Sequence, residues 1–197
     1  MNKIFYWSPF TTSKIATVKA VINSAASLNK FFKKKLFQIS IIDAVHEWKD
    51  FKDEIKEKKI ELIYLNKDTI FNSFKKTGFL RSRLAYFYII FKSFFPLIKI
   101  LKEKKPDYLI IHLITSLPLL LFSFKNFKTK LILRISGLPK MTLFRKFLWK
   151  LAIKNIYKIS CPTFDTYKNL SKFKFLREKL YVLKDPIINI KEIQKLR

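Results

Sequence analysis

Glycine is almost missing from this chain: Gly78 and Gly137 are the only two in 197 residues. With glycine at those positions alone, neither a G-x-G-x-x-G dinucleotide fingerprint nor a Walker A loop can be written. Cysteine is single, and Cys161 by itself excludes an intrachain disulfide framework and any Cys-based zinc site, which fits a reducing compartment. The two histidines, His46 and His112, lack the paired spacing of a metal site, and His46-Glu47 does not continue into H-E-x-x-H, so no metal is expected. The G-x-S-x-G elbow of a serine hydrolase is absent, and Cys161, ahead of Pro162, reads as a core thiol rather than a nucleophile.

Acidic residues are also scarce. Fourteen stand against 41 Lys and Arg, a formal charge of +27, which favours a polyanionic partner such as an anionic membrane surface or nucleic acid. Only six of the 41 are Arg, the side chain whose fork reads base edges and phosphates, so nucleic acid is the weaker choice. Long apolar runs are missing too. The most hydrophobic window, 80 to 105, is broken by Arg81, Arg83, Lys92, Pro96 and Lys99, short of the roughly 20 uninterrupted residues a spanning helix needs. The expectation is that it does not cross a bilayer. The N-terminus lacks the apolar core and cleavage site of a signal peptide and reads as a strand beginning at residue 3.

What is present is an alternation of apolar runs with helical patterns. Runs at 3 to 10, 37 to 45, 60 to 66, 108 to 113, 130 to 139, 158 to 164 and 179 to 187 read as strands. Between the first two, Ile15, Val18, Val21 or Ile22, Ala25 and Leu28 recur at helical spacing, with Ser13 available as N-cap. A helix over 80 to 104 ends before Pro106, a short one follows with Ser116 as cap and Pro118 in its first turn, and another covers 141 to 157. The charged stretch 46 to 59 is a connection. Continuous apolar strands separated by helical crossovers predict an α/β domain: a doubly wound, mostly parallel sheet of about six or seven strands with helices on both faces. The Rossmann-like domain is expected to span residues 1 to 186.

Such sheets bind ligands beyond the carboxyl ends of their strands. His112 ends the run "YLIIHL", where an imidazole can donate a hydrogen bond or carry a proton. Ser136 and Gly137 end the next run; Gly137 permits a close backbone approach or a positive φ, and a plain turn fits equally. Arg134, charged inside an apolar run, must pair with something fixed, a carboxylate or a phosphate. The 80 to 104 helix mixes Phe91, Phe94 and Phe95 with Arg81, Arg83 and Lys92, reading either as a core helix with a solvated face or as one that docks on an anionic leaflet. Lys33 to Lys35 and Lys75-Lys76 would add to that surface.

The order "KIFYWSPF", helix, "PDYLIIHL", "KLILRISGLP", "KISCPTF", "LYVLKDPIIN" resembles the N-terminal, acceptor-side domain of family-4 retaining glycosyltransferases of the GT-B fold, over about residues 3 to 190. In that group Asp, four mostly apolar residues and His bring a catalytic His to the interdomain cleft, and Asp107 to His112 keeps the spacing. The resemblance implies His112 as the catalytic residue, with Ser136 and Gly137 lining the cleft. The family's Gly-Gly loop after the first strand is replaced by "SPFTTSK", so Thr11, Thr12 and Ser13 would offer hydroxyls to phosphates or acceptor instead.

It further implies a second Rossmann-like domain, C-terminal in the family, that holds the nucleotide-sugar donor. Nothing in this sequence matches it, and residues 187 to 197 look like the start of the interdomain linker. The expectation is half of a glycosyltransferase, inactive alone, acting on a surface-polysaccharide or lipid-linked acceptor in cell-envelope polysaccharide biosynthesis. It would be cytoplasmic and peripheral at the inner face of the cytoplasmic membrane. The competing expectation is a non-catalytic basic module for membranes or polyanions.

Overall fold

The computed structural model describes residues 2–11, 16–31, 37–66 and 79–185. Seven strands form one sheet in the order β3-β2-β1-β4-β5-β6-β7, and every neighbouring pair is parallel. The strands are β1 (Asn2–Trp7), β2 (Phe37–Asp43), β3 (Glu61–Tyr64), β4 (Tyr108–Ile111), β5 (Lys130–Arg134), β6 (Ile156–Cys161) and β7 (Leu180–Val182). The helices are α1 (Ala16–Phe31), α2 (Lys52–Glu57), α3 (Phe79–Lys104), α4 (Ser116–Phe124), α5 (Leu143–Ala152) and α6 (Phe164–Ser171). The doubly wound sheet is thus as expected, at seven strands, and the charged 46 to 59 connection contains the short α2.

Strand order explains the two cores. The chain winds outward from β1 to β3, then returns past β1 to β4 and winds the other way. Right-handed crossovers therefore put α1 and α2 on one face and α3 to α6 on the other. Alternate β1 side chains serve the two faces: Ile4 and Tyr6 join Val18, Val21, Ile22 and Ala25 of α1, whereas Phe5 and Trp7 join the larger core with α3, α4 and α5. Buried residues such as Ile22, Ile41, Ile89, Leu97 and Leu109 each contribute about 1.5–3 kcal/mol relative to exposure.

By length and composition Arg83–Lys104 of α3 would suffice to cross a membrane. Its inner face is otherwise occupied: Ala85, Ile89, Leu97 and Leu101 are buried in the sheet core, making α3 the β3-to-β4 crossover. At the next helix Ser116 is the first helical residue rather than the cap. Its hydroxyl is hydrogen-bonded to the Tyr86 phenol of α3, and the preceding Thr115 gives no side-chain cap.

Candidate functional site

The reversal of winding leaves a crevice beyond the carboxyl ends of β1 and β4, the usual ligand position in this architecture. His112 sits there, one residue past β4, and its N–H donates to the Trp7 carbonyl at 3.0 Å, extending the β1–β4 ladder. The chain then turns sharply. Ile114 takes a positive φ of 47°, costly for a β-branched residue, and its carbonyl accepts from the Trp7 indole Nε1 at 3.0 Å.

His112 lines a cavity of about 340 Å³. Its other walls come from α3 (Tyr86), the turn into α4 (Thr115, Ser116), the end of β5 (Arg134, Ile135) and α5 with its cap (Thr142, Phe144, Arg145, Trp149). No Asp or Glu contributes to these walls, and their polar side-chain groups are hydroxyls, imidazole, guanidinium and the Trp149 indole. Thr142 caps α5 by accepting from the Arg145 N–H at 3.3 Å, which holds Arg145 in the first turn, where it donates to the Lys140 carbonyl at 2.7 Å.

His112 is only 5% exposed, and its Nε2 has no hydrogen-bond partner among the described residues. Burial first, and then the Arg134 charge, lower its pKa from 6.5 to about 3. At neutral pH the imidazole is therefore uncharged and can donate or accept a hydrogen bond, without the charge of an imidazolium. A buried polar atom without a partner is uncommon in a folded chain and marks a place for a ligand or water.

Arg134 finds the fixed partner its burial demands, and it is a carboxylate. Its Nη2 and Nε donate to Asp185 Oδ1 at 2.6 and 2.9 Å, and Nη1 donates to Ser24 Oγ at 3.1 Å. Ser24 Oγ also meets the Tyr6 phenol at 3.0 Å, and burial raises that phenol's pKa to about 12. Asp107, five residues before His112, lies at the opposite edge of the sheet, where its Oδ2 accepts from the Lys3 N–H at 2.7 Å.

The other sequence-derived positions are dispersed. Ser136 and Gly137 lie on an exposed bend between the lining residues Ile135 and Pro139 without lining the cavity themselves. A Cβ added at Gly137 would meet nothing within 4 Å and no positive φ occurs there, so neither reason for a glycine applies and the plain turn describes it. Thr11 follows β1 on a half-buried bend outside the cavity walls; Thr12, Ser13, Lys33 to Lys35, Lys75, Lys76 and the 187–197 linker lie outside the described residues. On α3, Arg83, Phe91 and Phe95 are exposed, Lys92 is half-buried beside the Tyr88 ring, and Phe94 packs against the core; the side chain of Arg81 lies outside the described set. Sequence reasoning missed Tyr86, Thr142, Phe144, Arg145 and Trp149. One local signal existed, since Thr142 immediately before an amphipathic run has the form of a helix cap.

The other half of the carboxyl edge is acidic. Asp43 at the end of β2 is fully buried, and beside it Glu47 accepts the N–H groups of Ala44 and Val45 at 3.1 and 2.7 Å. Burial and then the Asp43 charge raise the Glu47 pKa well above 4.5. Among the described residues no group of three or more His, Cys, Asp or Glu side chains is arranged to hold a metal ion.

No protein-family model matches the sequence, and no curated protein matches it. Solved structures do. The UDP-GlcNAc 2-epimerase of Neisseria meningitidis, bound to UDP-GlcNAc, superposes with a TM-score of 0.65 at 15% identity, over 100% of this chain and 50% of that one. The enzyme of the same name from Rickettsia bellii gives 0.62 at 11% identity over 100% and 49%. Glycyrrhiza uralensis UGT73P12, complexed with glycyrrhetinic acid 3-O-monoglucuronide, gives 0.61 at 9% identity over 94% and 49%. This chain spans about half the length of the structures it matches, and at these identities the likeness is one of fold: a Rossmann-like unit equivalent to one half of a GT-B-type enzyme.

Proposed function

We propose that this chain is the acceptor-side half of a retaining glycosyltransferase of the family-4 kind. It would work with a second Rossmann-like unit that holds a nucleotide-sugar donor, and pass the sugar to a surface-polysaccharide or lipid-linked acceptor at the inner face of the cytoplasmic membrane. The observation that carries this reading is His112: neutral, buried, without a partner on Nε2, and placed at the topological switch point in the wall of an acid-free cavity. A neutral imidazole there can hydrogen-bond a sugar hydroxyl as the donor's bond to phosphate breaks, and Arg145 supplies positive charge for an anionic group nearby. Half-length superposition on sugar-nucleotide enzymes supports the need for a second unit.

The test is transfer of labelled sugar by the chain combined with the polypeptide that supplies the donor-binding unit, sought in the coding sequence after codon 197. Transfer is expected from the combination and not from this chain alone, with a loss of about 100-fold or more in His112→Ala. Turnover by the isolated chain, or full turnover in His112→Ala, would overturn the proposal.

A further inference from the structure

The outer side of α3 carries a row of exposed aromatic rings. Arg83, Phe87, Phe91, Phe95 and Lys99 recur every four residues and are all exposed, Phe91 by 81%. At the rise of an α-helix this ridge is about 24 Å long, with Arg83 at one end and at the other Lys99, which lies 3.9 Å from Glu103. α5 repeats the pattern: Leu143 is 84% and Phe144 73% exposed, with Phe147 one turn on. α4, in contact with both helices, adds exposed Leu120 and Phe124. The inner faces of these helices already fill the core, and the outward rings stay largely exposed even where Phe87 and Phe95 stand edge-on to their neighbours Tyr86 and Phe94. Large exposed apolar side chains gathered on three neighbouring helices mark an interaction site.

Charge selects the occupant. Seven of the fourteen acidic residues fall between positions 43 and 61, on the β2–β3 side. None occurs between 69 and 102 or between 108 and 164, so α5 and all but the last turn of α3 carry positive charge alone, and α4 is uncharged. A second copy would set like charges against one another. An anionic leaflet accepts both features at once, with rings at the acyl boundary and cations among the headgroups. Cavity and ridge share residues: Phe144 lines the cavity while largely exposed, and the lining residue Tyr86 directly precedes Phe87.

We propose that the outer faces of α3, α4 and α5 seat on an anionic lipid leaflet, α3 lying in the membrane plane, and that the cavity takes the phosphate-bearing headgroup of a lipid from that leaflet. The second clause rests on the acceptor-site reading above; docking stands without it. Arg145, with no carboxylate partner among the described residues, is the group that meets the phosphate.

Flotation of the 197-residue chain with phosphatidylcholine and with mixed phosphatidylcholine–phosphatidylglycerol vesicles tests the docking. Recovery is expected with the anionic vesicles only, declining as salt screens the charges. Phe91→Ser combined with Phe144→Ser should weaken binding by about tenfold or more. Since these side chains are exposed, folding is checked by circular dichroism and the site is read independently by Phe91→Trp, whose emission should shift to the blue with anionic vesicles. Equal recovery on neutral vesicles, an unchanged double variant or no spectral shift would overturn docking. So would a dimer dissolved by Phe91→Ser, or competition by a DNA oligonucleotide that removes the Phe91→Trp shift.

For the headgroup, monomeric dihexanoyl phosphatidate should bind more tightly than inorganic phosphate. Arg145→Gln should weaken phosphatidate binding about tenfold with flotation unchanged. Equal affinity for inorganic phosphate, or indifference to Arg145→Gln, would overturn the headgroup assignment, while sugar transfer by the combined halves separately tests the reading beneath it.

Discussion

Arg134 and Asp185, 51 positions apart in sequence, meet at 2.6 Å as a buried ion pair that ties the end of β5 to the chain leaving β7. Their side chains are 6% and 14% exposed, so each charge depends on the other and on Ser24 for the hydration it has lost. The pair also fixes where the polypeptide departs, at the same edge that carries His112.

Breaking one side of this pair strands the other. Asp185→Ala is expected to destabilise the fold by about 3–5 kcal/mol in urea denaturation. Replacing both partners by apolar residues, Arg134→Met with Asp185→Leu, should recover a large share of that loss. A cost below about 1 kcal/mol for Asp185→Ala would show the pair to behave as a solvated one.

His112 gives stability a pH dependence of known sign. Its folded pKa of about 3 lies below the ordinary 6.5, so between those values the unfolded chain binds a proton that the folded chain does not. Its contribution is complete above about pH 6.5 and is lost as pH falls toward 3. In urea titrations at pH 7 and pH 4.5, the wild type should lose about 2 kcal/mol more than His112→Asn over that interval.

The Asp43–Glu47 pair predicts the opposite slope. Glu47 has a raised folded pKa, so its contribution is complete below about pH 4.5 and declines as pH rises through the folded value. Asp43→Asn removes the charge that opposes Glu47 ionisation and supplies an amide donor. Its stability relative to wild type should therefore improve steadily from pH 4.5 to pH 8, followed by thermal melts. A difference independent of pH would contradict the pairing.

Trp7 is fully buried, and its indole holds the left-handed turn at Ile114 beside the cavity. Trp7→Phe removes that hydrogen bond and leaves a void, a loss of about 2 kcal/mol or more. Released, the turn should show faster amide exchange at Leu113 to Ser116 than at β4, measured by hydrogen–deuterium exchange.

Sheet class and strand identity were readable because short apolar runs, many of them β-branched and buried on both faces, alternate along the chain with stretches of helical spacing. Strand ends were not. The run at 108 to 113 stops pairing at Ile111 because Ile114 reverses the chain, and the run at 130 to 139 ends its strand at Arg134, which pairs with Ser160. β6 begins at Ile156, inside the expected helix, because α5 ends at Ala152 and a single 3-10 turn leads directly into the ladder. His112 could be placed just past a strand because Ser116 and Pro118, which follow it, mark the start of the next helix locally. The cavity walls could not, because Tyr86, Ser116, Thr142 and Trp149 come together only through the packing of α3, α4 and α5.

The position of β1 inside the sheet, with a neighbour on each edge, has a consequence for synthesis. Its edge toward β2 is filled early, but Trp7 pairs with Ile111 on the other edge, and that partner is made 104 residues later. At about 5–20 residues per second, a nascent chain waits on the order of 5–20 s with that hydrogen-bonding edge open. During that interval the amino-terminal βαβ unit is a template for strand addition by any extended neighbour, and a protein that holds unpaired edges should raise the folded yield most if it acts before β4 emerges.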